Sequence, residues 1–237
     1  MHFQRAIVVG ASGGIGGALV SALIDRQADV TALSRRGRSA GRGCRSGEID
    51  IESEESIARA ASVASANGPY DLVIVATGIL HGDRLAPEKS YRQLSAESLQ
   101  RYFAVNATGP ALVAKHFLPF LCSDRPAVFA ALSARVGSIG DNRLGGWYGY
   151  RASKAALNMI VKSLAIELAR TRPQVICVAL HPGTVDTSLS APFQRGVPPH
   201  QLFDPATSAR RLLEVLSRLD HSAGGTCLAW DGKTIDP

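Results

Sequence analysis

The chain has 237 residues, 46% of them hydrophobic and 19% charged, a composition that suits one globular domain with a single compact core. No apolar run reaches the roughly 18 to 20 residues of a membrane helix, and Met1–Val9 is too short and too soon interrupted by Arg5 for a secretory signal, so a cytoplasmic protein without membrane partners is expected. The net charge of +6 comes mostly from arginines scattered along the chain, which argues against nucleic acid, and Cys44, Cys122, Cys177 and Cys227 lie too far apart for a zinc site or a disulfide framework.

In chain order, Phe3–Gly10 reads as a short buried strand running into a glycine-rich turn, and Ala18, Leu19, Ala22 and Leu23 repeat at helical spacing from Ile15 to about Arg26. Val30–Ser34 and Gly47–Ile51 read as strands. Ser53 begins a helix to about Ala66, with Glu54 and Glu55 in its first turn, where carboxylates suit the helix dipole. Asp71–Ala76 reads as a fourth strand, too apolar to have a wet face. A long helical region over Ala96–Leu121 is followed by a strand at Pro126–Leu132, a helix at Tyr150–Arg170, a strand at Gln174–Leu180, a helix at Pro205–Leu219 and a strand at Thr226–Trp230. Alternating strands and helices predict an α/β fold, a doubly wound parallel sheet in three layers of the Rossmann kind, with residues 1–237 as one domain. Thr187–Asp204, which holds Pro192, Pro198 and Pro199, reads as a long loop.

Two constellations carry chemistry. Gly10-Ala11-Ser12-Gly13-Gly14-Ile15-Gly16 sits between the first strand and the first helix, where a doubly wound fold binds a dinucleotide: Gly10 permits the tight turn, Gly14 lets the backbone approach the pyrophosphate, and Gly16 allows close helix packing. At the end of the second strand an NAD site usually has Asp or Glu, but here the sequence is Leu33-Ser34-Arg35-Arg36. A hydroxyl followed by guanidinium groups is what a 2′-phosphate needs, so the cluster Arg35, Arg36, Arg38, Arg42 and Arg45 predicts NADP(H) rather than a merely solvated basic loop. Tyr150 and Lys154 stand four residues apart at the start of a helix and share a face, where a lysine charge would favour the phenolate of an otherwise weak acid. His81, His116 and His181 show no metal-ligand spacing, and no metal is expected.

These residues resemble the short-chain dehydrogenase/reductase family nearly end to end, nearest the C-factor-like carbonyl reductases. The stretches Val136-Gly137-Ser138-Ile139-Gly140-Asp141-Asn142, Gly145-Gly146-Trp147-Tyr148 and Tyr150-Arg151-Ala152-Ser153-Lys154 carry the subgroup likeness. The glycine turn resembles the family's T-G-x-x-x-G-x-G motif with Val9 for Thr, and Asp50 matches its adenine-contacting acid. Val75-Ala76-Thr77-Gly78 stands where the family has N-N-A-G, with both asparagines missing and Gly78 kept. Asn106 matches the catalytic asparagine, which the resemblance implies bends its helix and holds a water linking Lys154 to solvent. Pro182-Gly183-Thr184-Val185 resembles the proline-glycine motif, with Val185 toward the nicotinamide carboxamide and Thr187 toward a phosphate.

One departure touches the mechanism. The family's I-S-S-x-x-G aligns with Leu132-Ser133-Ala134-Arg135-Val136-Gly137, so Ala134 occupies the catalytic serine position. Ser133, one residue away on a strand, or Ser138 on the following loop could supply the missing hydroxyl, as could a water. The resemblance implies a reductase acting on a small carbonyl or alcohol substrate. Tyr150 is then the proton donor, Lys154 lowers its pKa and binds the nicotinamide ribose, and Asn106 completes the proton path. It further implies a substrate lid at about 187–204 with Leu189, Pro192, Phe193, Val197 and Leu202 inward, and a homodimer or homotetramer through the two long helices. Trp147 and Tyr148 would line the pocket or pack in the core or an interface. An NADP-binding sensor with little turnover is the rival, and Ala134 is its best argument.

Overall fold

The computed structural model describes residues 1–37 and 43–237, so Arg38 and Arg42 of the basic cluster lie outside the described residues. The elements are β1 (Arg5–Val9), α1 (Gly14–Asp25), β2 (Asp29–Ser34), β3 (Arg45–Glu48), α2 (Glu54–Ser65), β4 (Leu72–Val75), α3 (Ala96–Phe103), α4 (Gly109–Phe117), β5 (Ala127–Leu132), α5 (Tyr148–Thr171), β6 (Val175–His181), β7 (Thr184–Val185), β8 (Leu202–Phe203), α6 (Pro205–Ser217), β9 (Cys227–Ala229) and β10 (Thr234–Ile235). Eight of the strands form one sheet in the order β10-β9-β6-β5-β4-β1-β2-β3, parallel throughout except that β10 runs antiparallel to β9. The strand order reverses at β1, which β2 and β4 flank, and this opens a crevice at the carboxyl ends of the strands.

The central strands are buried on both faces because their side chains alternate between two cores. Ile7 and Val9 of β1 join Val73, Val75 and Phe129 against Ile57 of α2, Phe117 of α4 and Leu157 and Val161 of α5. Ala6 and Val8 join Leu72, Ile74 and Val178 against Leu19 and Leu23 of α1 and Leu212 and Leu216 of α6. Three helices carry local N-caps: Ser53 Oγ accepts from Ser56 N (3.3 Å), Ser95 Oγ from Ser98 N (3.1 Å) and Asp204 Oδ1 from Thr207 N (2.8 Å).

Four expectations are revised. The helix expected over Ala96–Leu121 is two helices joined by a wide π-helical turn at Ala104–Thr108, with a 3-10 turn at Leu118–Phe120. β3 lies earlier than Gly47–Ile51, because Arg45–Glu48 pairs in register with Thr31–Ser34 as an edge strand while Ile49 and Ile51 turn inward. α5 starts two residues earlier, at Tyr148. Thr187–Asp204 is not a bare loop: two 3-10 turns lie within it, and β8 near its end returns to pair with β7. Among the described residues no helix is long and apolar enough to cross a membrane.

Candidate active site

The glycine turn is shaped by what it cannot hold. Gly10 has φ +90°, and a Cβ on Gly16 would lie 2.1 Å from Gly10 O, so α1 approaches the turn only because that position has no side chain. Gly14 and Ile15 open the helix, and a Cβ on Gly14 would lie 2.7 Å from Thr187 Cγ2, which brings Thr187 from beyond β7 to the turn. The crevice beside it is lined by Gly10, Ser12, Ser34, Arg35, Asp50 and Gly78, all expected from the sequence. Thr77, from the Val75-Ala76-Thr77-Gly78 stretch, lines it too, as do Ile51, Glu52, Arg101 and Val105, which were not among the expected site residues. Arg101 pairs with Glu52 across two elements. Arg36 sits exposed in the turn after Arg35, and the Asp50 carboxylate accepts from Glu52 N (3.0 Å). Thr77 Oγ1 is buried without a hydrogen-bond partner among the described residues. A glycine-rich turn at a helix start, a buried hydroxyl in want of a partner and the nearby Arg35 fit a phosphate-bearing dinucleotide.

The crevice leads to three buried polar residues. Asn106, in the π-helical turn, accepts from Ile79 N through Oδ1 (2.9 Å), and its Nδ2 donates to Ile79 O (3.0 Å) and to Ser153 Oγ (3.1 Å). Ser153 donates in turn to Tyr150 O (2.9 Å). Lys154 Nζ donates to Leu132 O at the end of β5 (2.8 Å) and lies 5.9 Å from the centre of the Tyr150 ring. A Cβ on Gly78 would lie 3.3 Å from Asn106 Oδ1 and 3.4 Å from Lys154 Nζ, so the crevice floor touches both. The Asn106 amide is thus occupied by protein partners.

Burial dominates the electrostatics. It pushes the Tyr150 phenol up to about 12 and the Lys154 ammonium down to about 8. The phenol shows none of the expected depression by Lys154, whose Nζ donates to Leu132 O instead. At neutral pH Tyr150 is therefore a phenol with a proton to give, and Lys154 is still mostly charged. His181, just before Pro182 and Gly183, is held neutral by burial, which lowers it to about 4.

Ala134 packs with Val136, Trp147, Leu189 and Phe193 around Leu80, Tyr102 and Tyr150. The two serines near it have partners of their own: Ser133 Oγ donates to Asn158 Oδ1 (2.7 Å), while Ser138 Oγ accepts from Asp141 N (3.0 Å) and lies 3.4 Å from Pro237 O. Phe193 closes the cluster from the 187–204 segment, edge-on to Trp147 at 5.0 Å and to His81 at 5.7 Å. Pro182, Gly183 and Val185 form the turn from β6 into β7, where Pro182 O accepts from Ser208 Oγ (2.9 Å) and Gly183 has φ +81° under Phe203 and Trp230.

A short chain dehydrogenase family model matches residues 4–197. The chain belongs to that family, whose members are oxidoreductases that use a nicotinamide cofactor on small molecules. It is 31% identical over 244 residues to the 1-hydroxy-2-glutathionyl-2-methyl-3-butene dehydrogenase of Rhodococcus sp. (strain AD45), covering 96% of this chain and 100% of that one. It is 32% identical over 178 residues to the C-signal of Myxococcus xanthus, covering 75% of this chain and 98% of that one. The fold is shared with the NADPH-bound carbonyl reductase from chicken fatty liver at a TM-score of 0.87 and 24% identity, over 100% of this chain and 95% of that one.

The contact at Gly16 has a measurable consequence. Gly16→Ala places a methyl against main chain that cannot give way, so thermal unfolding should move down by several degrees, about 1–3 kcal/mol of overpacking, and dinucleotide affinity should fall with it. An unchanged midpoint and unchanged affinity in a cofactor titration would contradict the geometry.

Proposed function

We propose that the chain is an NADP(H)-dependent carbonyl reductase of the cytoplasm, acting as a homodimer or homotetramer. The observation that carries this reading is the buried Tyr150, Lys154 and Asn106 group at the end of a crevice whose far side bears Ser34 and Arg35. When bound, the dinucleotide supplies the hydride. Tyr150 gives its phenolic proton to the substrate oxygen, and since burial by itself weakens the phenol as an acid, the transfer depends on a positive charge that stabilises the phenolate. Lys154 binds the ribose and holds a positive charge beside the developing phenolate, and Asn106 keeps the Gly78–Ile79 turn against α5.

Gly10, Ser12, Gly14, Ile15 and Gly16 would cradle the pyrophosphate, Arg35 and Arg36 the 2′-phosphate and Asp50 the adenine, with Pro182, Gly183, Val185 and Thr187 on the nicotinamide side. Leu80, Val136, Trp147, Leu189 and Phe193 favour a hydrophobic carbonyl substrate, with 187–204 as its lid. Because Ala134 offers no hydroxyl, Tyr150 is the donor to the carbonyl oxygen, and Ser133 or Ser138 would have to leave present partners to assist. Exposed Phe103, Met159 and Ile166 on α3 and α5 support self-association. A sensor with little turnover is the second reading, favoured by Ala134 and by the likeness to the C-signal.

Three measurements test the proposal. NADPH should bind at least tenfold more tightly than NADH, since a charge-assisted pair contributes about 1.5 to 3 kcal/mol and about 1.4 is already tenfold. Replacing Arg35 and Arg36 together with Ala should erase the preference, and equal dissociation constants in the unmodified protein would refute it. Tyr150→Phe should lower carbonyl turnover by about 100-fold or more while NADPH affinity stays within about twofold. Full activity in that variant, or no reduction of any aldehyde, ketone or quinone by the unmodified protein, leaves the sensor as the better account. The third measurement is pH dependence. Lys154 has a pKa lowered to about 8, so its charge is present below that pH and lost above it. A fall in kcat/KM for reduction through pH 8 is expected, and a profile flat to pH 9.5 would exclude a role for that charge.

A further inference from the structure

Glu88 is a buried carboxylate with no part in the chemistry above. It follows Pro87 in the segment between β4 and α3 and is 3% exposed. The start of α5, which carries Tyr150 and Lys154, lacks a side-chain cap from Trp147 before it, and Trp147 itself has left-handed backbone at φ +52°. Glu88 meets both needs from a distance. Its main-chain oxygen accepts from Trp147 N (2.5 Å), and its Oε2 accepts from Gly149 N (3.1 Å). A carboxyl oxygen therefore takes up a free N–H at the positive end of the helix dipole.

A local Ser, Thr or Asp at 147 would cap the helix more simply. That position is instead held by an indole that packs edge-on to Tyr150 at 6.2 Å and to Phe193 at 5.0 Å, so the wall of the cleft and the cap of the helix are divided between two residues. The fit of the carboxylate is close. A Cβ on Gly149 would lie 2.3 Å from the Tyr102 ring and 3.0 Å from Glu88 Oε1, and Tyr102 packs edge-on to Tyr150 at 6.3 Å. Glu88 Oε1 is buried without a hydrogen-bond partner among the described residues, and the Tyr102 phenol is held above its usual range by burial first and by the neighbouring Glu88 second. Tyr102 donates to Leu80 O (2.8 Å) on the same wall.

We propose that Glu88 is a positioning residue, which fixes the left-handed Trp147 and the first turn of α5 so that the Tyr150 hydroxyl meets the substrate oxygen. The proposal rests on the reading of Tyr150 as proton donor. Its test combines amide hydrogen exchange over residues 145–153 with steady-state kinetics on Glu88→Ala and Glu88→Gln. In Glu88→Ala, exchange at Gly149, whose N–H loses its side-chain acceptor, should quicken about tenfold or more, kcat should fall about tenfold or more, and NADPH affinity should stay within about twofold. Glu88→Gln keeps an acceptor for Gly149 N and should recover kcat to within about threefold. In a Tyr150→Phe background Glu88→Ala should cause no further loss, because it acts through that hydroxyl. Should Glu88→Ala fail to fold, Glu88→Asp, one methylene too short to reach Gly149 N, replaces it with the same expectations. Unchanged exchange, or a parallel loss of kcat and NADPH affinity, overturns the proposal. If the unmodified protein reduces no carbonyl compound, the reading of Tyr150 fails by itself, and the exchange data still decide whether Glu88 holds the helix start.

Discussion

The side-chain amide of Asn106 is the constraint on which the rest of the site depends. It receives the Ile79 N–H, returns a hydrogen bond to the Ile79 carbonyl and donates another to Ser153, so one residue ties the exit of β4 to the helix that carries Tyr150 and Lys154. All of this happens away from water, where leaving a single such group unpaired costs about 1–3 kcal/mol. The wide turn at Ala104–Thr108 sets the amide at this junction, and a regular helix through Ala96–Leu121 would carry Asn106 elsewhere. Gly78 then rests against both Asn106 and Lys154, which joins the dinucleotide crevice to the proton-transfer group.

Dryness is the second constraint, and it acts on the charges. Desolvation is the largest influence on both groups, pushing the phenol up and the ammonium down, the latter only partly opposed by Cys227. The two shifts have one origin and different consequences: one weakens the phenol as an acid, while the other brings a lysine charge close to the neutral range. The aromatic wall of Trp147, Phe193 and Tyr102 maintains that dryness, and Ala134 adds to it where a hydroxyl would bring polarity.

Much of the fold could be read locally. Alternation in Ala6-Ile7-Val8-Val9 divides between two cores as a strand covered on both faces must, and the cap at Ser53 marks its helix by side-chain chemistry alone. The weak places were those where neighbours decide. Arg45–Glu48 has no apolar pattern and is a strand only because Thr31–Ser34 offers it an edge, and the two residues of β10 are strand only against β9.

What the sequence by itself determined is what depends on residue type at fixed spacing: the glycine turn before α1, the basic residues after β2 in place of a carboxylate, the shared face of Tyr150 and Lys154, and the missing hydroxyl at Ala134. Those follow from steric freedom, charge and helical period, which neighbours along the chain carry. The tertiary structure decided what depends on distance through space. It engaged Ser133 with Asn158 and Ser138 with the loop and chain end, brought Thr187 against Gly14 from beyond β7, paired Arg101 with Glu52 beside the crevice, and set the buried Glu88 against the start of α5. Hydrogen-bond partners and burial are properties of packed neighbours, and residues 61 positions apart, such as Glu88 and Gly149, become neighbours only when the sheet and its helices have closed around them.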